Sequence, residues 1–523
     1  MNQPFLSETA KEEGLLKLNR SSTLYATLLL TGVGLFSQVL GFFYRIALSR
    51  LIGAEVMGLY QLIMSVHSVF LSIVSVGLTT AVSTLTAEHH ALGRPAAIRQ
   101  ALHRCLLIFF LLALPLGAAV ITASDPISVC LLGDARTQLG LILLAPCILL
   151  TGVENLHKHC FYGAGSVRAP AAVEVGEHLI RTVAVLALLA VFLPQNAERT
   201  VGLIVVGMTV AEVFSSMTLV ALFRSRMGGR PRLRAEPSAV SWGRIASIAV
   251  PVGLTALLGN LMASANSVLI PQRLVVGGME VSEAMSAFGV LTGMTIPLLN
   301  MPTALIGAMC LIMVPRLAES AALKDRKTIQ RRLDRALLAT SVLILPATAL
   351  LVVGPTLGSL LFKDPRVGEH ILPLAVGTLL CCYQSVLASA LNGVGRQSAA
   401  ARNAILCGGV QLLFTWFTVG LPGVGLKGYI AGFLVSSVLG LTLNLISTIR
   451  ATGLRVRPFE WLVSPALAAV LTGLCVNLLF RVVTESGTPL PMTVGICVAF
   501  GGVEYLAALQ AQGVRLRSIF RVK

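Results

Sequence analysis

Charge is scarce in this sequence. Of 523 residues, 12% are charged and 55% hydrophobic, and the mean hydropathy is +0.84. A soluble chain of this length needs far more charge to cover its surface, so a water-soluble globular fold is excluded. Acidic residues are scarcest, 23 against 40 lysines and arginines. The five aspartates, Asp125, Asp134, Asp325, Asp334 and Asp364, are all expected in loops. Any carboxylate that couples protons or cations inside the membrane is then a glutamate. There is no C-x-x-C among the ten cysteines, and only Cys381–Cys382 form a close pair. Cysteines in apolar runs behave as small hydrophobes. There is no G-x-x-x-x-G-K-[ST], so no nucleotide motor is built in. The pair His157 and His159 sits at an expected helix end without a third ligand. Loops are too short for a soluble catalytic domain. An enzyme, a cofactor and a metal centre are therefore not expected.

What the sequence does have is long apolar runs. They recur from Leu24 almost to the C-terminus, and a bilayer core needs roughly 20 residues per helix. In lipid the backbone must satisfy its own hydrogen bonds, and strict polar alternation is absent, so the runs read as helices rather than barrel strands. The punctuation predicts an all-α integral membrane protein of about fourteen helices: 24–46, 57–85, 103–123, 138–157, 170–193, 201–223, 245–270, 285–314, 334–354, 370–391, 403–420, 427–448, 461–480 and 489–510. The polar, mixed-charge residues before the first run do not look like a cleaved signal, and that run is expected to be a retained first helix. With the N-terminus inside, 30 lysines and arginines fall in inside segments and 9 in outside ones. That bias predicts both termini on the cytoplasmic side of the cell membrane. It also reads the formal charge of +17 as topology facing anionic lipid, not as a nucleic-acid surface.

The chain carries an internal duplication. Ala87–Ala118 aligns without a gap on Ala318–Ala349, matching Glu88 with Glu319, Arg104 with Arg335 and Pro115 with Pro346. At nearly the same offset, Leu149-Leu150 and Gly163-x-Gly165 align on Leu379-Leu380 and Gly393-x-Gly395. A shared apolar alphabet explains matching leucines but not this set of Glu, Arg, Pro and Gly. The offset spans six helices, an even number, so the copies point the same way across the membrane. The expected organisation is a cytoplasmic segment 1–23, a six-helix bundle 24–223, a basic linker 224–244 and a second six-helix bundle 245–448. An additional pair of helices (449–510) and a basic tail (511–523) follow. Transporters built from parallel halves hold substrate at the interface and work by rocking.

Ionisable groups within a span are costly and usually functional. In the fifth span Glu174, Glu177, His178 and Arg181 are spaced to share one helical face. Arg181 is about 11 residues into the expected helix, roughly 16 Å and near the midplane. The stripe lines a wet cavity, or Glu177 and Arg181 lock the helix, and the two readings are compatible. Arg45 and Arg273 are expected at the outer ends of the first and seventh spans. They are candidates for holding an anionic headgroup, because guanidinium matches phosphate oxygens. The bland alternative is snorkelling to the interface. In the eighth span Pro297 and Pro302 remove backbone bonds, and Asn300 between them is placed to satisfy freed groups, suggesting a hinge or gate. Glu212, Asn260, Asn266, Gln384, Asn392 and Glu504 are expected to make interhelical hydrogen bonds.

Four segments carry a family resemblance: GFFYRIALSRLIGAEVMGLYQL (Gly41–Leu62), VGLTTAVSTLTAE (Val76–Glu88), EVGEHLIR (Glu174–Arg181) and GVLTGMTIPLLNMPTALIGAMCLIMVPRLAES (Gly289–Ser320). With the span pattern, the chain resembles the multidrug/oligosaccharidyl-lipid/polysaccharide (MOP) exporter superfamily, in its stage V sporulation protein B branch. The resemblance implies movement of an undecaprenyl-diphosphate-linked glycan, a peptidoglycan or polysaccharide precursor, from inner to outer leaflet. The implied partners are that lipid-linked oligosaccharide, membrane lipids and candidate cell-wall polymerases, with no nucleic acid and no nucleotide. Arg45 falls where lipid II flippases of the superfamily keep a first-helix arginine, and Gln61 joins it as a candidate substrate contact. Glu177 and Arg181 match the family's E-Q-x-x-R pattern, with His178 in place of the glutamine. The last two helices resemble the pair that forms a lipid-tail groove. Two other readings compete. A cation-coupled multidrug antiporter of the same superfamily needs only twelve helices and an acidic first helix, where this chain has Gln38. A non-transporting scaffold for cell-wall or spore-coat assembly would tolerate neutral substitution of the membrane charges.

Overall fold

The computed structural model describes residues 5–192, 195–227, 240–350 and 354–512, with side chains at 29, 31–192, 195–227, 240–347 and 354–512. In chain order its helices are α1 (Phe5–Val74), α2 (Val76–Ala91), α3 (Pro95–Thr122), α4 (Gln138–Gly163), α5 (Arg168–Phe192) and α6 (Ala197–Met227). The second half begins with α7 (Trp242–Val276), α8 (Val281–Gly289), α9 (Ile296–Asn300), α10 (Thr303–Ala322), α11 (Arg326–Leu350) and α12 (Gly354–Phe362). It ends with α13 (Ile371–Gly393), α14 (Gln397–Thr418), α15 (Leu426–Thr452), α16 (Ser464–Glu485) and α17 (Leu490–Ala511). No strand occurs among the described residues. The protein is an all-α multi-pass membrane protein.

Twelve helical segments among the described residues are long and apolar enough to cross a bilayer, so the expected fourteen is not reproduced as such. Thr31–Val74 counts once although it bends at Gly53, while Val281–Asn300 and Thr303–Ala322 count separately although they adjoin at Met301-Pro302. Helices α11 and α14 are not counted; both open with polar turns, RKTIQRRLDR and QSAAARN. Gly53 has φ 75° and ψ 177°, a conformation only glycine adopts without strain, and it divides α1 into two antiparallel-capable arms. Helix α1 starts at Phe5, within the expected N-terminal segment 1–23. The first arm runs beyond 46 to the break, placing Arg45 eight residues inside it, about 12 Å from its end rather than at the end. Nothing after Arg45 stops a helix until glycine permits the turn. Asp334 is likewise helical, in the third turn of α11, and Asp125 lies in the short helical turn Ser124–Pro126.

Local geometry recurs between the halves. Asp134 accepts from the backbone N–H of Arg136 at the start of a 3-10 turn, and Asp364 does the same with Arg366. Left-handed φ occurs at Gly93, Gly133 and Gly165, and again at Lys324, Lys363 and Gly395. Prolines 115 and 346 both lie inside their helices. The expected linker glycines and prolines, Gly228, Gly229, Pro231 and Pro237, and the tail from 513 onward, lie outside the described residues.

The second arm of α1 joins the halves. It packs on α7 and α8, while α2 packs on α4 and α7. A Cβ on Gly289 would overlap the carbonyl oxygen of Ala54, and one on Gly58 that of Met285, so α1 and α8 cross at backbone contact. One large core links α1–α4 with α7, α8, α13 and α15, and a second gathers α10, α11, α13, α16 and α17.

Candidate functional site

The fifth-span stripe, on α5, is the seed of the most heavily charged buried region. Arg181 forks between two carboxylates: Glu177, one turn back on α5, and Glu212 on α6, 3.0 Å away. Glu154, on α4, joins them. One of its oxygens is 2.9 Å from Lys158 Nζ and the other accepts from Ser215 Oγ at 3.2 Å. Lys158 also reaches Glu174 at 3.6 Å. Glu154, Glu177 and Glu212 are 2%, 5% and 3% exposed, and their carboxylate oxygens lie within 4.8 Å of one another. They are the only acidic group among the described residues compact enough to ligate an ion, and Arg181 and Lys158 already supply two positive charges there. Three helices thus meet in an ion-pair network inside the membrane.

Around it is a ring of polar groups from α1. Arg45 and Arg181 both act electrostatically on the phenols of Tyr44 and Tyr60, and Arg181 also acts on His67. Arg45 has no ion pair among the described residues, in contrast to Arg181. Tyr60 donates to Met208 Sδ at 3.7 Å. Several buried polar atoms have no partner: Tyr44 Oη, Gln61 Nε2, His67 Nε2, Arg181 Nε and Glu212 Oε2. Unsatisfied donors and acceptors concentrated on adjoining helices mark a place built for water or a ligand. His178 is half-buried on α5 and sits in the field of Arg181, Glu174 and Lys158.

The other candidates are elsewhere. Arg273, in the last turn of α7, stacks over the Trp416 ring at 4.8 Å and closes against Gly420. It is not brought to Arg181 by any ion pair or hydrogen bond among the described residues, and it does not mirror Arg45, which is far from its helix end. Pro297, Asn300 and Pro302 do bracket a break: a π-helical stretch over Val290–Thr295, the short α9, then a turn at Met301-Pro302. At Asn300 the backbone carbonyl accepts from Gln38 Nε2 at 3.3 Å and Thr303 Oγ1 at 2.7 Å. The break faces a cavity of about 380 Å³ lined by Asn300, Thr303, Thr378, Ser385 and Tyr429 among others, with no charged residue in its wall.

Sequence reasoning missed Glu154 and Lys158 as site residues and gave Glu212 only a generic role. The signal was available for the first two: an E-x-x-x-K pair one turn apart on an apolar helix. Nothing in the sequence pairs Glu212 with Arg181, because they are on different helices.

Known proteins share this architecture. Stage V sporulation protein B of Bacillus subtilis (strain 168) is 22% identical over 459 residues, covering 86% of this chain and 88% of that protein. Sporulation protein YkvU of the same organism is 21% identical, covering 81% and 94%. Among solved structures, lipid II flippase MurJ in an inward closed conformation superposes with a TM-score of 0.70 at 12% identity, covering 94% of this chain and 100% of that one. An inward-facing multidrug resistance MATE family transporter of the MOP superfamily gives 0.62 at 14% identity, covering 80% and 96%. These solved structures are transporters and a flippase by name, and what the chain shares with them at these identities is the fold. The family model described as polysaccharide biosynthesis protein matches residues 24–320, more than half of the chain. The chain therefore belongs to the polysaccharide biosynthesis protein family.

Proposed function

We propose that the protein is a flippase that carries an undecaprenyl-diphosphate-linked glycan from the inner to the outer leaflet by alternating access. The observation that carries this reading is Arg45: a cation eight residues inside the first arm of α1, without a counter-ion among the described residues, whose field reaches the same two tyrosines as that of Arg181. An uncompensated intramembrane cation is expensive unless it meets an anion during function. A diphosphate is such an anion, and guanidinium fits its oxygens. The family membership and the near-complete overlay on a lipid II flippase support the substrate class. With the cell interior negative, outward movement of one uncompensated negative charge gains about 2.3 kcal/mol per 100 mV, enough to bias export without a nucleotide.

In this reading the units 24–223 and 245–448 rock about the α1–α8 crossing. The break at Pro297–Pro302 is the gate, helices α16 and α17 bear the lipid tail, and both termini face the cytoplasm. Cell-wall polymerases are the partners that would consume the delivered glycan. The test is transfer of a labelled undecaprenyl-diphosphate glycan in proteoliposomes under an imposed potential. Potential-sensitive transfer is expected in the wild type and lost in Arg45→Ala. No transfer by folded wild type across several glycans would overturn the reading. The second reading, a cation-coupled multidrug antiporter, is favoured by the buried carboxylates and the MATE-type fold. It predicts cation-dependent efflux of a lipophilic dye by the same vesicles.

A further inference from the structure

We infer that the Glu154–Glu177–Glu212 cluster is a proton-binding site, with the proton on Glu212, and that its occupancy decides whether Arg181 is free to take an anionic ligand. The charge count comes first. Four carboxylates, Glu154, Glu174, Glu177 and Glu212, face two cations, Lys158 and Arg181. The remaining groups directed at the cluster, Tyr60 and Cys147 against Arg181 and half-buried His178 on α5, are neutral in their ordinary forms and do not make up the deficit. Three of the carboxylates are buried with oxygens within 4.8 Å of one another. Like charges this close in a low-dielectric interior are relieved most cheaply by a proton.

Geometry then selects the carboxylate. Glu154 Oε1 makes no hydrogen bond but lies 2.9 Å from the Lys158 ammonium, its Oε2 accepts from Ser215, and Glu177 faces Arg181 along its own helix, so each of these two carboxylates has a cation of its own turn beside it. Glu212 has one oxygen at Arg181 and a second, Oε2, buried without any partner. A proton on that oxygen makes it a donor among acceptors. It also removes one of the two negative charges that hold Arg181, whose own Nε is unpartnered. Proton binding thus releases the guanidinium, and proton loss draws it back into the network. The only transfer is of a proton from water to Glu212 Oε2 and back. The proton site stands by itself; its link to a diphosphate rests on the flippase reading.

The test uses the full-length protein in nanodiscs. Infrared spectroscopy is expected to show a protonated-carboxyl carbonyl band at neutral pH that disappears in Glu212→Gln and persists in Glu504→Gln, whose carboxylate is elsewhere, against Thr472. Glu154→Gln, which removes one negative charge, is expected to move the band's titration to lower pH and serves if Glu212→Gln does not fold. Absence of the band at neutral pH, its survival undiminished in Glu212→Gln, or its removal by sodium at constant pH would each overturn the proton site. The second arm is calorimetry of geranyl diphosphate binding in two buffers of unlike ionisation heat. Above the pH at which the band titrates, wild type is expected to take up about one proton per diphosphate, with affinity there falling roughly tenfold per pH unit. Binding without proton uptake in that range would overturn the coupling. A present band with no diphosphate binding would overturn the coupling and the flippase reading together while upholding the proton site.

Discussion

Arg45 and Arg181 carry the same side chain and both act on the phenols of Tyr44 and Tyr60, but their own partners make them opposite in kind. Arg181 compensates Glu177 and Glu212, so removing it strips both of their ion pair beside a Lys158 that already serves Glu154 and Glu174. Removing one partner of a buried pair costs about 3–5 kcal/mol. Arg45 compensates nothing. Arg181→Ala is therefore expected to lower the melting temperature in detergent markedly, and Arg45→Ala to leave it nearly unchanged or raise it. Differential scanning fluorimetry of the two purified variants checks this, and equal destabilisation would contradict the assignment. Loss of transport in Arg45→Ala then reports on the substrate, whereas loss in Arg181→Ala mixes substrate with fold. The stripe on α5 was legible because Glu174, Glu177, His178 and Arg181 share one helix and obey one period. The ion pair to Glu212 was not, because it depends on how α5 and α6 face each other.

The turns between helices hold the clearest record of duplication. In the turn ahead of α13, Asp364 accepts from the backbone N–H, Nε and an Nη of Arg366. These bonds hold the Asp364 carboxyl below the usual aspartate range. A carboxylate with a lowered folded value contributes stability above its unfolded value, about 3.9, and loses it as pH falls through the folded value. Melts recorded from about pH 6 down to pH 3 are expected to fall more steeply for wild type than for Asp364→Asn at the acidic end, and the two should differ by a constant at the upper end. Parallel curves throughout would show that Asp364 is not held by Arg366 in solution. The matching D-x-R at Asp134–Arg136 lies at the same offset as the matching glycines, and was readable in principle. It went unread because two aspartates in loops carry no apolar period. Element boundaries failed where glycine or proline reshapes a helix without a polar break: at Gly53, where α1 continues beyond the expected span, and at Met301-Pro302, where one expected span becomes two.

At the scale of the whole molecule, the halves are held together on both sides of the α1–α8 crossing. On one side Arg50 donates to the carbonyl oxygens of Leu361 and Leu360, at 2.6 and 2.7 Å, in the last turn of α12. Those carbonyls lack helical partners and form the negative end of the helix dipole. On the other side Arg244 meets Glu88 at 3.5 Å, and Arg104 stacks on Trp242 while donating to the Val240 carbonyl. If rocking opens one side at a time, Arg50→Gln is expected to lengthen the distance between spin labels at residues 51 and 361. The same variant should leave the distance between labels at 90 and 243, beside that ion pair, unchanged or shorter. Pulsed electron resonance reads both, and no change at 51–361 would remove Arg50 from the closing contacts. Composition and hydrophobic run length by themselves determined that this is a helical membrane protein, because lipid leaves the backbone few alternatives. Residue periodicity and repetition placed the polar stripe of α5 and matched one half to the other, since both are properties of order along the chain. Only the tertiary structure decided which charges neutralise each other. Glu154, Glu177 and Glu212 come from three helices, and Coulomb interactions depend on distance in space, to which separation in sequence is nearly blind.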